Sequence, residues 1–503
     1  MVRAVVLGVP LVAVLANGAG CGEEASVEAP AAALAEERVA VAPSHWNLLI
    51  WVIDTARADH FGINGYERPT TPRLDALAAS GVNFQTAITV APRTWQSFSS
   101  ILTGLYPPRH GVRYLYDHPI RPETPTLATL LQSRGYRTLA FDSSPFIRDM
   151  TASNGFDAQM HADTRLSKMS AVREALDENI GTRILSSARE VGARPWFFFV
   201  RLSGPHWEYN SNEWTPLFAN CEGFDHSFNE GGYGRSMQLP GAGTKLEDVD
   251  GHKRIFWSLD VDERTLEHMV AHYDAKLRFT DELIGRTVSR MRDEGLLDRT
   301  VVIVTSDHGE SFGEHGYWQH GPRVDDPVMR VPLMVLLPMD HPARREGRSV
   351  DDAVSVVDVL PTALDLVGID IPSDVDGQSL VPLIEGETTP ERWVYGEIGR
   401  SFQGIDPERY IAGVRGKHRM IRTREWKLVF MPRDDVDGGG MSRLYDLRAD
   451  ATESRDVASE HPEIVAKLLA HLDSVRAYET EEEEERRLTE AESQLLRELG
   501  YVE

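Results

Sequence analysis

Cysteine is nearly missing from this chain: Cys21 and Cys221 are the only two in 503 residues. Two cysteines build no zinc ribbon, disulfide framework or cysteine–histidine dyad, so the available chemistry rests on His, Asp, Glu and hydroxyl groups. Positive charge is also short, with 53 Lys and Arg against 78 Asp and Glu and a formal net charge of -25. That balance excludes nucleic acid as a partner, because neutralising phosphates needs clustered Lys and Arg. Part of the acidity is local. Glu479 and Glu481 to Glu485 form one run that reads as a solvated helix face, so the charge does not point to a substrate. Beyond the first residues no apolar run reaches transmembrane length, and no internal repeat of fixed period occurs.

What is present begins with an export signal. Arg3 is followed by an apolar run from Ala4 to Ala16 and by Gly18-Ala19-Gly20-Cys21. The run is too short to span and stay in a bilayer, which suits a leader over residues 1–21. Small residues before Cys21 resemble a bacterial lipobox, although Gly18 stands where Leu is usual. The expectation is an exported protein, periplasmic or at the cell surface, held to the membrane only through lipidated Cys21; an ordinary signal peptide is the alternative. Residues 22–44, rich in Ala, Glu and Pro and without aromatics, read as a flexible tether. Cys221 then remains as a lone buried thiol.

The central stretch is Val301-Val-Ile-Val-Thr-Ser-Asp307-His308-Gly309-Glu310. Its apolar run predicts a buried parallel strand that delivers Asp307 and His308 at its carboxyl end, where open α/β sheets place ligands. Further imidazoles follow at His315 and His320, and this donor set suits a divalent metal such as zinc. The same device recurs. Asn47 to Ile53 runs into Asp54, and Trp196 to Val200 leads to Gly204-Pro205-His206. Thr94 sits near the start of a helix. There its hydroxyl is either an N-cap or a nucleophile activated by the positive helix end and a metal.

Alternation of strands and helices from residue 45 to 393 predicts a doubly wound, mostly parallel α/β sheet. Arg73 to Gly81 reads as a short helix closed by Gly81, Val172–Val191 and 267–295 as longer helices, and Arg330 to Leu337 as a strand. Residues 210–265, Gly-rich and without clear period, are expected as a lid-like insertion. Residues 394–478 carry strand-like pieces and a helical tail, expected as a small C-terminal α+β subdomain, followed by the acidic helix 479–503.

Together these residues resemble the sulfatase family of the alkaline phosphatase superfamily. The matching pieces are Asp54-Thr-Ala-Arg-Ala-Asp-His, Gly65-Tyr-Glu-Arg-Pro-Thr-Thr-Pro-Arg-Leu-Asp75, Thr103-Gly-Leu-Tyr-Pro-Pro-Arg-His-Gly111, Ser306-Asp-His-Gly-Glu310, Arg330-Val-Pro-Leu, Asp376-Gly-Gln-Ser-Leu380 and Leu444-Tyr-Asp-Leu447. The resemblance spans residues 45–500 and implies an alkaline-phosphatase-like fold. It departs at the nucleophile. The family's Cys or Ser, the precursor of formylglycine, corresponds to Thr94, with Gln96 and Phe98 at its Pro and Arg positions. A Thr side chain cannot be oxidised to an aldehyde, so no formylglycine is expected.

The resemblance then turns to the Thr-nucleophile branches, nucleotide pyrophosphatase/phosphodiesterases and phosphoethanolamine transferases. It implies Asp54, Thr94, Asp307 and His308 as ligands of one divalent metal, zinc before calcium or manganese. It implies His206 and His320 as substrate-binding and catalytic histidines beside Thr94. Thr55 replaces the second carboxylate of a calcium site, and Gly204 stands where relatives carry Asp, which disfavours a second metal. Arg57 or Arg93 is expected to assist, His60 and His110 to be packed or hydrogen-bonded, His118 to face the site, His315 to be structural, and His252, His268 and His272 to lie at the surface. The implied function is hydrolysis of a sulfate or, on chemical grounds, a phosphate or phosphonate ester of a small molecule, glycan or lipid through a covalent Thr94 intermediate. A phosphoethanolamine-type transferase acting on envelope glycan or lipid, and a non-catalytic binding lipoprotein, are the alternatives.

Overall fold

The computed structural model describes residues 46–113, 120–142, 155–161, 170–206, 215–218, 242–249, 252–259, 263–316, 318–320, 323–345, 347–398, 418–432 and 440–478. Every described residue lies within Ala42–Glu503. The expected leader, tether, Cys21, Cys221, His118 and the segment 479–503 lie outside the described residues, as does the side chain of His252.

The strands in the first half are β1 (Asn47–Ile53), β2 (Val82–Ile88), β3 (Arg137–Asp142), β4 (Ala158–His161), β5 (Trp196–Leu202), β6 (Ala242–Val249) and β7 (His252–Leu259). Those in the second are β8 (Thr300–Ser306), β9 (Ser311–Phe312), β10 (Trp318–Gln319), β11 (Arg330–Val331), β12 (Leu333–Leu336) and β13 (Arg348–Ser355). A separate sheet holds β14 (Val394–Glu397), β15 (Arg419–Arg422), β16 (Trp426–Pro432) and β17 (Gly440–Asp446).

The central sheet has the order β11–β2–β12–β8–β1–β5–β3–β4, with β13 against β2. Pairings β1–β8, β1–β5, β3–β5, β3–β4 and β13–β2 are parallel, as the alternation of elements predicts. Every residue of β1, β5 and β8 is buried, because helices cover both faces of the sheet. Alternate residues supply two cores. Leu48, Ile50, Phe197, Phe199, Val301 and Ile303 face one side, packed with Phe98, Ile101 and Leu360. Leu49, Trp51, Phe198, Val200, Val302 and Val304 face the other, packed with Met269, Tyr273 and Ile284 of the long helix Glu263–Asp293.

The antiparallel sheet β14–β15–β16–β17 and helix Pro462–Arg476 form the expected α+β element near the C-terminus. Its Tyr395, Ile421, Leu428 and Leu468 share the first core, so this sheet is built onto the main one rather than around a core of its own.

Several expectations need correction. The strand expected over Arg330–Leu337 is split at Pro332 into β11 and β12, both antiparallel to their neighbours; proline has no N–H to give the ladder. The helix expected to close at Gly81 spans Pro72–Ala79 with Ser80 as its C-cap. Within the expected insertion 210–265, the described residues include the antiparallel hairpin β6–β7. His268 and His272, expected at the surface, are buried with Nε2 atoms 3.1 Å apart. Spaced four apart, they share the inward face of the long helix with Lys276. Strand β2 was not anticipated, since Asn83 and Gln85 interrupt its apolar run; Asn83 is buried and donates to Asn64 Oδ1 at 2.9 Å.

Candidate active site

Register brings the site together. Ile53 pairs with Ser306 on one side and Leu202 on the other, so β1, β8 and β5 end level. The residues that follow them, Asp54, Asp307-His308 and Ser203 to His206, therefore emerge at one edge of the sheet. The helix Thr94–Thr103 begins beside them after β2. Its N-cap is Arg93, which makes no side-chain capping bond, and Thr94 is the first helical residue. The N-cap reading of Thr94 is thus overturned: its Oγ1 points to His308, 3.4 Å from Nε2. A hydroxyl relay holds that helix to the strand ends. Ser97 Oγ lies 2.7 Å from Thr89 Oγ1, and Thr89 Oγ1 donates to the Asp307 carbonyl.

Each expected ligand presents one free atom to a common point. His308 Nδ1 donates to the Gly309 carbonyl at 2.9 Å, which leaves the Nε2 lone pair directed at the carboxylates. Nε2 is 3.9 Å from Asp54 Oδ1 and 3.6 Å from Asp307 Oδ2. Ligand atoms of Asp54, Asp307 and His308 all lie within 4.8 Å of one another. Asp307 Oδ1 accepts from the backbone N–H groups of Thr55 and His308 at 3.1 and 2.9 Å. Asp54 Oδ2 accepts from Arg201. The remaining oxygens, Asp54 Oδ1 and Asp307 Oδ2, are buried and have no hydrogen-bond partner among the described residues. Two bare carboxylate oxygens facing an imidazole lone pair repel one another in a dry interior, and a divalent cation between them removes the conflict. These residues therefore fit a metal.

Electrostatics separate the two carboxylates. Burial opposes the charge of Asp54, but Arg201, with His206, His308 and His320 beyond it, holds its pKa down to about 2. Burial, reinforced by the negative charge of Asp54, pushes Asp307 up to about 6. Thr55 lies between them with φ 59°, a left-handed conformation rare for a β-branched residue. Its Oγ1 donates to the Asp54 carbonyl at 2.8 Å, and its own carbonyl accepts from Tyr273 at 2.8 Å. The Thr55 hydroxyl is thereby committed to the backbone.

His320 is buried, with Nδ1 2.9 Å from Glu310 Oε1 and its ring 4.4 Å from that of His308 and 5.3 Å from that of His206. Burial, then the charges of His308 and Arg93, push its pKa well below the usual imidazole range. Lys276 Nζ donates to the His206 carbonyl at 3.2 Å. The expected histidines and ligands thus stand in one cluster, with Arg93 close enough to act on it. Arg57, the other expected helper, is committed elsewhere: it bonds Asp59, Glu314 and the Glu310 carbonyl. Phe98, at the position of the family's Arg, is in the core, edge-on to Phe199. Gly204 has φ 49°, and a Cβ there would stand 2.6 Å from the Asp54 carbonyl oxygen. A carboxylate side chain does not fit at that position without a shift of the Asp54 backbone.

His60 and His110 are hydrogen-bonded as expected, to Asp274 at 2.7 Å and Ser100 at 3.0 Å, and His315 is exposed. Sequence reasoning missed Arg201, Asp142 and the Glu310 contact. A lone charge inside the apolar strand Trp196–Leu202 was the available signal for Arg201, since a fully buried Arg needs a partner.

The chain resembles known proteins over most of its length. The family model described as Sulfatase matches residues 47–369, and one described as N-sulphoglucosamine sulphohydrolase, C-terminal, matches residues 313–478. An arylsulfatase of Clostridium perfringens is 25% identical over 420 residues, covering 75% of this chain and 86% of that protein. A structure solved with its substrate D-glucosamine-2-N,6-O-disulfate superposes with TM-score 0.67 at 20% identity, over 86% of this chain and 98% of the other. A phosphonate monoester hydrolase from Silicibacter pomeroyi superposes with TM-score 0.67 at 21% identity, over 89% and 98%. These two structures share the fold. The family model covers well over half of the chain: the chain belongs to the sulfatase family and is, by class, a sulfuric or phosphoric ester hydrolase.

Proposed function

We propose that this protein hydrolyses a phosphate, phosphonate or sulfate ester through a covalent Thr94 ester, with one divalent metal held by Asp54, Asp307, His308 and Thr94. The observation that carries this reading is the pair of unpartnered oxygens, Asp54 Oδ1 and Asp307 Oδ2, facing His308 Nε2 with Thr94 Oγ1 alongside. When bound, the metal supplies a lowered pKa for the Thr94 hydroxyl and positive charge for the ester oxygens.

The chain's own groups do the rest. Thr94 Oγ1 gives its proton to His320 Nε2 as it attacks phosphorus or sulfur; the bond to the leaving oxygen breaks, and that oxygen takes the proton from the imidazolium as the alcohol or phenol departs. His206 and the Arg93 guanidinium border the space in which the non-bridging oxygens carry charge, and they favour it there. The Glu310 carboxylate accepts from His320 Nδ1, so Nε2 is left as a base. That nitrogen takes a proton from the water that attacks the Thr94 ester; the bond from the Thr94 oxygen to phosphorus or sulfur breaks, the Thr94 oxygen regains the proton, and the product acid leaves. A phosphorus centre suits Thr94 better than the formylglycine route, because no aldehyde hydrate can form here.

The test is turnover of matched aryl sulfate, phosphate monoester, phosphate diester and phosphonate ester by zinc-loaded protein, beside Thr94→Ala. Turnover of one class that disappears in the variant while zinc stays bound supports the scheme. Full activity in Thr94→Ala would sink it. Transfer to an added alcohol in preference to water would move the chain to the transferases. The leader and Gly18-Ala19-Gly20-Cys21 support export and lipid anchoring through Cys21. Release of the protein from membranes by Cys21→Ser is the corresponding check.

A further inference from the structure

The guanidinium of Arg201 lies behind the metal site, 4% exposed, and bridges two carboxylates from different strands. Its Nη2 donates to Asp54 Oδ2 and its Nη1 to Asp142 Oδ1, the latter at 3.1 Å. Asp142 ends β3 and pairs with Arg201 in register across the parallel ladder, so backbone pairing itself sets this contact. Both acids are buried.

The consequence for Asp54 is geometric. With Oδ2 covered by the guanidinium, only Oδ1 is free to ligate. Asp307 is restricted in the same way, because two backbone N–H groups hold its Oδ1. Each carboxylate therefore offers one oxygen, and His308 and Thr94 add one atom each. Four protein donors with one imidazole suit zinc. Calcium takes six to eight oxygens, and carboxylates free to bind through both oxygens help reach that number. The charges agree. Arg201 offsets one of the negative charges of Asp54, Asp142 and Asp307, and the net charge left beside His308 favours a cation.

We infer that Arg201 is a metal-selectivity residue: by occupying Asp54 Oδ2 it confines the site to one ion and to zinc in preference to calcium. The inference rests on the Asp54, Asp307 and His308 metal reading above. Arg201 does not touch substrate in this scheme; it acts by positioning Asp54.

The experiment compares wild-type protein with Arg201→Lys and with the paired variant Asp142→Asn/Arg201→Met. The paired variant removes both charges together and frees Asp54 Oδ2. Arg201→Lys keeps the charge but cannot bridge two carboxylates as a guanidinium fork does. Folding is checked by circular dichroism. Metal content after exposure to equal zinc and calcium is read by mass spectrometry, affinities by calorimetry, and zinc coordination number by X-ray absorption. Wild type is expected to retain one zinc per chain. The zinc-to-calcium preference is expected to fall about tenfold or more in the paired variant and less in Arg201→Lys. A folded paired variant with unchanged preference would overturn the inference and leave the metal reading standing. If only Arg201→Lys folds, unchanged preference there would overturn it equally. Wild-type protein that binds no divalent ion would remove the metal reading itself, and the inference with it.

Discussion

His320 Nδ1 lies 2.9 Å from Glu310 Oε1, with both side chains buried at the edge of the metal cluster. The contact sets which ring nitrogen faces the site and how the ring is turned. Glu310→Ala is expected to lower kcat about 10- to 100-fold with metal content unchanged. Glu310→Gln, whose amide oxygen still accepts from Nδ1, is expected to lose much less. Steady-state kinetics with metal analysis of the same samples checks this; equal losses in both variants would show that orientation of His320 is not the issue.

Asp274 carries a structural load at the other face of the motif that follows β1. Its carboxylate accepts from Tyr66 at 2.8 Å and Arg68 at 2.9 Å and meets His60 Nδ1 at 2.7 Å. Asp274→Ala leaves the buried His60 ring and the part-exposed Tyr66 and Arg68 without this acceptor and is expected to cost about 1–3 kcal/mol. Urea denaturation measures the loss. Metal stoichiometry in the folded fraction should not change, because His60 is a packing residue rather than a ligand.

Asp281 predicts a pH dependence of stability. Its carboxylate is buried and accepts from the backbone N–H groups of Arg73 and Leu74. Burial outweighs those bonds and raises its pKa from 3.8 to about 7. Between these values the folded chain binds more protons than the unfolded one, so stability falls as pH rises and levels off above pH 7. Asp281→Asn removes this slope. Melting temperatures from pH 5 to 8 should show wild type losing ground to the variant as pH increases; parallel curves would contradict the shift.

Gly309 separates His308 from Glu310 in a tight crossing. Its N–H donates to the Val328 carbonyl at 2.9 Å, and an added Cβ would stand 2.1 Å from the backbone oxygen of Pro327. Gly309→Ala must push two backbone segments apart. The expected cost is about 1–3 kcal/mol, with weaker metal binding because His308 moves with its neighbour. Denaturant melts and metal titration on the same preparation read both effects.

Much of the site was legible in the sequence because its ligands lie at strand ends. Asp54, His206 and Asp307-His308 each follow an apolar run, and parallel pairing brings such ends to one edge whatever the length of chain between them. Thr94 was harder. A hydroxyl at a helix start serves equally as a cap, and only the tertiary fold places Thr94 Oγ1 3.4 Å from His308 Nε2. Pattern also failed where polar residues occupy buried positions. Asn83 hid β2, and the buried pair His268 and His272 read as surface because helical period alone does not say which residues a neighbouring element will cover.

The amino-acid sequence by itself determined the alternating α/β architecture, the family, the threonine at position 94 and the candidate donors at the strand ends. Those properties are local: apolar runs, turn glycines and short motifs carry them in consecutive residues. Tertiary structure alone decided how the donors are presented. Arg201 and Asp142 meet Asp54 only because β5 pairs with β1 and β3, and the Thr55 N–H reaches Asp307 only because β1 lies beside β8. Hydrogen bonds between residues far apart in the chain leave no period or motif behind. Here they settle which carboxylate oxygens are left to hold a metal.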